Sequence, residues 1–417
     1  MKKSLLALLC LFSLALACGC AEGGNESPSL PEPGSTAQST EETLPQDVSS
    51  APEEISLPLE EPSQAPSAEE SSEEPPAESS EESSEDNSDE EPPEESSEDS
   101  SHEEPPSESS EESEEEPMYT DKGDAEFIPS GYLLYNGAAY SQTHYNPETA
   151  GKYADVYAEY AKTFPGVGIH VINMPASVIN IENPFVQEMV NDQGTVLDQN
   201  EAHIHGDVNF VNLKETFLAH RGEYLFFKSD FHWTQLGAYY AYQAFAKSVG
   251  LTPTPLSDFE TEVTTETFIG LTNTYANDPR INSFFDTIHV YWPRKEHTMA
   301  VYLSDMSLYR TYKNCIQTSI KTYSCYLTGD QAYSEINVPE NDQEKTVLVI
   351  KESSANAFVP FLTEHYGNII VIDPRHVMLD VKKIVKEKGV DDIILFATAS
   401  TCTRDAYCNY YKRLIGK

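Results

Sequence analysis

Two short stretches of the sequence carry the residue types of nucleophilic catalysis. In the first, Asp230 stands two residues before His232, after an apolar run and before a predicted helix. At a strand end, such a carboxylate can accept a hydrogen bond from one imidazole nitrogen and leave the other nitrogen free as a base. In the second, Ser353 follows an apolar strand and opens a helix, whose N–H groups point at an oxyanion site. Each stretch alone is weak evidence, because helix-capping Ser residues and isolated Asp-x-His pairs are usually structural.

The hydrophobic pattern predicts alternating helices and strands around these stretches. Helices are predicted at 146–164, 235–249, 355–365, 379–388 and 405–414, and strands at 167–173, 223–227, 346–350, 368–372 and 392–396. This alternation predicts an α/β fold in which helices cover a parallel sheet, with ligands at the carboxyl edge of the strands. Residues 252–340 are rich in Thr and Tyr without helical periodicity, which predicts an inserted β-rich region.

Three segments resemble the bacterial DHHW proteins. Residues 230–234 (DFHWT) look like the family signature, 351–354 (KESS) like its Lys-Asp-Ser-Tyr element, and 368–375 (NIIVIDPR) like the following strand and Asp-x-Arg. The resemblance spans most of 130–417. It implies an SGNH-hydrolase-like domain, similar to the alginate O-acetyltransferase group. It also implies the roles of three residues: Ser353 as nucleophile, His232 as general base and Asp230 as the group that orients the base.

The sequence departs from the family pattern around both motifs. Phe231 stands where the first His of the family name occurs, and we expect its side chain to point away from His232. Glu352 and Ser354 replace Asp and Tyr. Ser354 is therefore an alternative nucleophile, although Ser353 is favoured because it comes first after the strand and the Lys-Glu pair.

Further residues are candidates for substrate binding or for the base. Trp233, Asn356 and Arg375 are assigned to substrate binding, Trp233 as a ring that could stack on a sugar and Arg375 as a carboxylate ligand or a structural ion-pair partner. His376 is the second choice as base, because it follows the next strand. His365 lies at the far end of the predicted helix, about 15 Å away at 1.5 Å per residue.

A His-x-His-x-Asp run could begin a dinuclear metal site at His203, His205 and Asp207. Val208 stands where the next His of such a site is expected, so the sequence predicts no metal and no other cofactor.

Four cysteines follow the N-terminal region: Cys315, Cys325, Cys402 and Cys408. They are disulfide candidates, and of the three pairings the simplest joins Cys315 to Cys325 and Cys402 to Cys408. The alternative is that some remain free thiols. The sequence has no Cys-x-x-Cys pair, which argues against a zinc ribbon or a thioredoxin-type site.

The first 20 residues are typical of an export signal. Two lysines precede an apolar run that is too short to span a bilayer, and small residues then adjoin Cys18 and Cys20. This pattern resembles a bacterial lipoprotein signal at residues 1–20, with Cys20, or alternatively Cys18, as the acylated residue. We therefore expect an extracytoplasmic protein anchored to the cell membrane by its N-terminal lipid.

Residues 21–117 form an acidic Ser/Glu/Pro segment. They contain 34 Asp and Glu and no Lys or Arg, and contribute most of the net charge of −44. So little apolar surface cannot offset the entropy of ordering, which predicts a disordered tether before a domain at 118–417. A chain this acidic is a poor partner for nucleic acid.

Three functions are compatible with these features. The first is an esterase or O-acetyltransferase that acts on a cell-surface polysaccharide; the resemblance implies a membrane-bound O-acyltransferase partner for it. The second is a catalytically silent protein of the same fold that binds glycans or assists cell-envelope assembly. The third is a metal-dependent hydrolase built on His203 and His205.

Replacing both Cys18 and Cys20 with Ala should release the protein into the medium or leave an unprocessed precursor, because no acyl acceptor remains. Detergent partitioning of cell fractions measures this outcome. A double mutant that is processed and extracted like the wild type would contradict the lipid anchor.

Overall fold

The computed structural model describes residues 119–417. The predicted signal peptide, both candidate acylation sites and the predicted tether lie outside the described residues. Over 119–417 the α-helices are α1 Pro147–Thr163, α2 Pro184–Gln187, α3 Gln193–Ala202, α4 Lys214–Ala219, α5 Gln235–Ser248, α6 Thr272–Ala276, α7 Val381–Lys388 and α8 Asp405–Leu414. None of these helices combines the length and the apolar character that a membrane span requires.

The strands are β1 Glu126–Phe127, β2 Leu133–Tyr135, β3 Ala138–Tyr140, β4 Gly168–Met174, β5 Asn209–Val211, β6 Thr261–Phe268, β7 Asp286–Tyr291, β8 Thr298–Tyr302, β9 Leu308–Tyr312, β10 Tyr333–Asn337, β11 Thr346–Ile350, β12 Asn368–Ile372 and β13 Asp392–Thr398. Eight of them form one sheet in the order β5-β4-β13-β11-β12-β10-β8-β9. The first five are parallel, whereas β10, β8 and β9 run antiparallel. The sheet is therefore mixed, and the prediction of a parallel sheet holds only for its first five strands.

The region 252–340 contributes to the sheet instead of forming a separate body. Its strand β10 pairs with the edge of β12, and β8 and β9 extend the sheet from there. Among the described residues, strands β6 and β7 pair only with each other. The mixed topology follows from this region, because its strands reach the sheet by antiparallel pairing instead of by helical crossovers.

Both faces of the sheet are buried, as the apolar runs of its central strands require. On one face, Tyr242 of α5 stacks on Phe361. On the other face, α1 packs against α8, where the Tyr160 hydroxyl donates to the Tyr411 carbonyl oxygen over 3.0 Å.

Two predicted elements next to the motifs are wrong. The helix predicted at 355–365 is a pair of 3-10 helices, Ser353–Ala357 and Val359–Glu364, because Pro360 has no N–H for an α-helical ladder. The strand predicted at 223–227 is reduced to one isolated bridge between Phe226 and Trp233. The turn between these two residues carries Asp230.

The predicted disulfides are absent, since all four cysteines of the described region are buried free thiols. An antiparallel bridge joins Ile316 to Tyr326, which places Cys315 opposite Leu327. Cys315 and Cys325 are thus diagonal neighbours, whose Cα atoms lie about 7–8 Å apart in such a ladder, too far for a disulfide.

The second predicted disulfide fails because its two sulfur atoms face different groups. Cys402 Sγ lies 3.9 Å from the Tyr157 hydroxyl, whereas Cys408 Sγ contacts the Lys152 carbonyl oxygen at 3.6 Å.

Candidate active site

One chain of hydrogen bonds joins the three residues that the sequence nominates as a triad. His232 Nε2 lies 2.8 Å from Ser353 Oγ, and His232 Nδ1 lies 2.5 Å from Asp230 Oδ1. Ser353 follows β11 at the carboxyl edge of the sheet, and His232 stands three residues before the start of α5. Thr234 caps that helix by accepting from the Gly237 N–H at 3.3 Å, which fixes the turn that carries His232.

The hydrogen bonds of Asp230 assign the protons of this chain. Asp230 Oδ1 also accepts from the His232 backbone N–H at 2.9 Å, and Oδ2 accepts from the Leu271 N–H at 2.8 Å. Burial alone would raise the pKa of Asp230, but His232 and the two backbone N–H groups outweigh it and hold that pKa below its ordinary value. An ionised Asp230 only accepts, so Nδ1 carries the imidazole proton and Nε2 is free to accept from Ser353.

A buried carboxylate from β7 holds the loop before Asp230. Asp286 accepts from the backbone N–H groups of Lys228 and Ser229, both at 2.8 Å, from Ser229 Oγ at 2.6 Å and from the Tyr224 hydroxyl. Burial raises the pKa of Asp286 although these bonds oppose the shift. The backbone immediately before Asp230 is thus fixed from the inserted region.

Aromatic rings enclose the imidazole. Tyr323 stacks on His232 with ring centroids 4.0 Å apart and an interplanar angle of 10°. Phe231 also packs against His232, at 4.2 Å, and the expectation that it points away is wrong. The Tyr323 hydroxyl and Trp233 Nε1 both donate to the Ser354 carbonyl oxygen, at 3.0 and 2.8 Å.

These contacts overturn the assignment of Trp233 to substrate binding. Its side chain is 0% exposed, so it supports the turn after Ser353 and cannot stack on a sugar. Asn356 is corrected for the same reason: it is 1% exposed and its Nδ2 donates to Asp330 Oδ1 at 3.0 Å.

Four charged side chains form a network beneath the site. Lys351 Nζ contacts Asp330 at 2.8 Å and Asp373 at 3.4 Å, and Arg375 contacts the same carboxylates at 2.5 and 2.6 Å. Burial raises the pKa of Asp330, but Lys351 and Arg375 more than reverse this and leave it lowered. Arg375 is therefore a structural ion-pair residue here, the alternative that the sequence left open beside its assignment to substrate binding.

Ser353 and Ser354 differ in what their hydroxyl groups contact. Ser353 Oγ lies beside the imidazole, whereas Ser354 Oγ is buried and has no hydrogen-bond partner among the described residues. The geometry therefore favours Ser353 as the nucleophile.

The alternative bases do not reach Ser353 in the structure. His365 Nε2 lies 2.8 Å from the Tyr242 hydroxyl on the α5 side of the sheet. His376 is exposed and lies near Asp330 and Asp373. Within residues 119–417 these three are the only group with metal-ligand spacing, and Lys351 and Arg375 already neutralise both carboxylates.

The His-x-His-x-Asp run does not assemble a metal site among the described residues. His203 Nε2 lies 2.6 Å from the Tyr145 hydroxyl, and the His205 side chain faces Asp155 at the surface, 3.4 Å away.

Comparison with known proteins identifies the family. The model of the family described as DHHW protein matches residues 80–372. The chain belongs to the DHHW family. A DHHW family protein from Eubacterium siraeum is 21% identical with a TM-score of 0.62, and the match covers 69% of this chain and 96% of that chain.

Bacillus cereus PatB1 shares the fold of the present DHHW chain. Its structure with a sulfonyl adduct is 15% identical with a TM-score of 0.55, and the match covers 68% of this chain and 99% of that chain. Another PatB1 structure is 16% identical, with the same TM-score. No curated protein sequence matches significantly.

Sequence reasoning missed the residues through which the inserted region supports the DHHW motif. These are Gly270, Asp286, Tyr323 and Asp330. At Gly270 the backbone of the inserted region lies so close to Asp230 that an added Cβ atom would be 2.2 Å from Asp230 Oδ2. No motif marks these positions, since each contacts the site across a long stretch of chain.

Replacing Gly270 with Ala should displace Asp230 and weaken its bond to His232. The overpacking should reduce the free energy of unfolding by about 1–3 kcal/mol, and the downfield NMR resonance of the His232 Nδ1 proton should move or disappear. Gly222→Ala is the control, because its Cβ would meet Glu182 Oε1 at an ordinary 3.5 Å. Equal stability of both variants, with the Nδ1 resonance unchanged, would contradict the close approach.

Proposed function

We propose that this protein is an extracytoplasmic, lipid-anchored esterase or O-acetyltransferase that acts on a cell-surface or exported polysaccharide. The proposal rests on one observation, the continuous hydrogen bonding from Asp230 through His232 to Ser353 at the carboxyl edge of the sheet. That edge is where α/β sheets bind ligands. The fold is accordingly proposed to be SGNH-hydrolase-like.

The proposed reaction has two half-reactions. In the first, Ser353 Oγ attacks the carbonyl carbon of an acyl ester while its proton passes to His232 Nε2. Asp230 stabilises the imidazolium, which returns the proton to the departing oxygen and leaves an acyl-Ser353 ester. In the second, an acceptor hydroxyl gives its proton to Nε2 and attacks the acyl carbon, and Ser353 recovers its proton. A sugar hydroxyl as acceptor gives O-acetyl transfer, and water gives hydrolysis.

The backbone N–H of Ser353 is a candidate donor to the oxyanion. Ser353 opens a 3-10 helix, and the first N–H groups of a helix have no partner within it. Such a donor stabilises the charge that develops on the carbonyl oxygen.

The surroundings of the reaction follow from the N-terminal sequence and the family resemblance. A lipid anchor and an acidic tether suit a domain that works outside the membrane on a polymer. The proposed partners are this polysaccharide, the membrane through the N-terminal lipid, and a membrane-bound O-acyltransferase that delivers the acyl group.

A catalytically silent glycan-binding or envelope-assembly protein is the second candidate, and the edge strand β9 favours it. Leu308 and Tyr309 are 59% and 45% exposed. Arg310 lies over the rings of Tyr309 and Tyr312, at 5.6 and 5.8 Å. Exposed aromatic and guanidinium groups are side chains that can contact sugars. A metal-dependent hydrolase loses its support, because His203 and His205 are engaged by other residues.

The full-length protein should hydrolyse p-nitrophenyl acetate slowly. Ser353→Ala and His232→Ala should each lower kcat/KM by at least about 100-fold, and the double mutant should be little worse because triad members act as a unit. Asp230→Asn should cost less, through the wrong imidazole tautomer. Activity should fall in acid, since imidazolium cannot accept the Ser353 proton.

Ser354→Ala is the matched control and should retain most of the activity, because its hydroxyl makes no hydrogen bond to any described residue. An ester hydrolysis rate that Ser353→Ala leaves unchanged would remove the catalytic proposal and leave the glycan-binding candidate.

A further inference from the structure

A buried glutamate adjoins the proposed nucleophile and takes no part in the mechanism above. Glu352 precedes Ser353, is 6% exposed, and its Oε2 lies 3.3 Å from Ser353 Oγ. The same oxygen accepts from the Ser354 N–H at 3.3 Å. Glu352 Oε1 is buried and has no hydrogen-bond partner among residues 119–417.

The number of protons at Ser353 constrains the ionisation of Glu352. Ser353 Oγ carries one proton, and His232 Nε2 must accept it because Nδ1 already donates to Asp230. An ionised Glu352 would be a second acceptor competing for that single proton. A neutral Glu352 resolves the conflict, since its Oε2–H can donate to a lone pair of Oγ while Oγ–H donates to Nε2.

The charges around Glu352 act on its ionisation in opposite directions. Arg375 and His232 favour its ionised form and Asp330 opposes it. The negative charge of an ionised Glu352 would also help to raise the pKa values of four neighbouring groups, Tyr323, Cys402, Tyr407 and Tyr411.

Arg375 is already committed to other carboxylates. Arg375 and Lys351 carry two positive charges that Asp330 and Asp373 match with two negative ones. Burial accordingly outweighs Arg375 and raises the pKa of Glu352.

We propose that Glu352 is held as the neutral acid and donates a hydrogen bond to Ser353 Oγ, as a positioning residue for the nucleophile. The inference rests on the role proposed for Ser353. Glu352 keeps its proton throughout: the Oγ–carbon bond forms, the Oγ proton passes to His232 Nε2, and the bond to the departing oxygen breaks as Nε2 protonates it. By occupying a lone pair of Oγ, the hydrogen bond directs the single Oγ–H toward the imidazole.

The pH profile of the full-length protein tests this role. The kcat/KM for p-nitrophenyl acetate, corrected with Ser353→Ala as background, should fall in alkali as Glu352 ionises and competes for the Ser353 proton. Glu352→Ala should lower kcat/KM about tenfold or more at neutral pH. Glu352→Gln, which keeps a neutral donor, should recover most of that loss and abolish the alkaline fall. An alkaline fall that persists in Glu352→Gln would overturn the proposal.

Infrared difference spectroscopy gives a result that needs no turnover. The spectrum of wild type minus Glu352→Gln at neutral pH should contain the C=O stretch of a protonated carboxyl group. Ser353→Ala should shift that band, because the hydrogen-bond acceptor is lost. As a matched control, Glu364→Gln should remove an ionised carboxylate, since Glu364 pairs with Arg294 at 3.2 Å.

The two measurements separate the two proposals. A carboxylate signal for Glu352 at neutral pH, or a carboxyl band that Ser353→Ala leaves in place, overturns the Glu352 proposal even in an active enzyme. The expected band in a protein without esterase activity would instead uphold the hydrogen bond to Ser353 and defeat the proposed function.

Discussion

The structure around the site is governed by the burial of the Asp230 carboxylate. Its side chain is 2% exposed, and a buried charge is strongly destabilising unless it is paired and hydrogen-bonded. The compensation comes from three N–H groups, two of His232 and one of Leu271. Two of these belong to the same turn, so the turn must hold one conformation. The third belongs to the inserted region, which therefore has to lie against the turn.

This requirement explains why the region 252–340 is built into the domain. Its antiparallel strands anchor it to β12, and from there it delivers Asp286 to the loop before Asp230 and Tyr323 to the face of His232. It also contributes Asp330 to the ion pairs beneath Ser353. A buried network of equal positive and negative charges is weak evidence for stability, since desolvation offsets the attraction. Its clearer effect is geometric, because it ties the ends of β11 and β12 together next to Ser353.

The sequence was informative where the determinants are local. Strands β11 and β12 have the predicted bounds, since each is a short apolar run between polar residues. Their carboxyl ends and the Asp-x-His turn placed Ser353, His232 and Asp230 where a site could form, and the family resemblance then nominated them. The contact between Ser229 and Asp286 spans 57 residues and carries no local signal. Trp233 failed as a substrate-binding residue because residue type does not separate a surface ring from a buried one. The disulfides failed because pairing depends on a register that spacing cannot give.

The peptide after Ser353 is fixed through its backbone, although Ser354 stands where the family resemblance predicts Tyr. The Ser354 carbonyl oxygen accepts from both Trp233 Nε1 and the Tyr323 hydroxyl, so two buried aromatic donors fix the peptide that follows Ser353. Neither contact uses the side chain at position 354. Trp233 directly follows His232 in its turn, and Tyr323 stacks on the imidazole itself. Ser353 and His232 are thereby positioned by shared rings, which keeps their separation at hydrogen-bonding distance although they lie 121 residues apart in the chain.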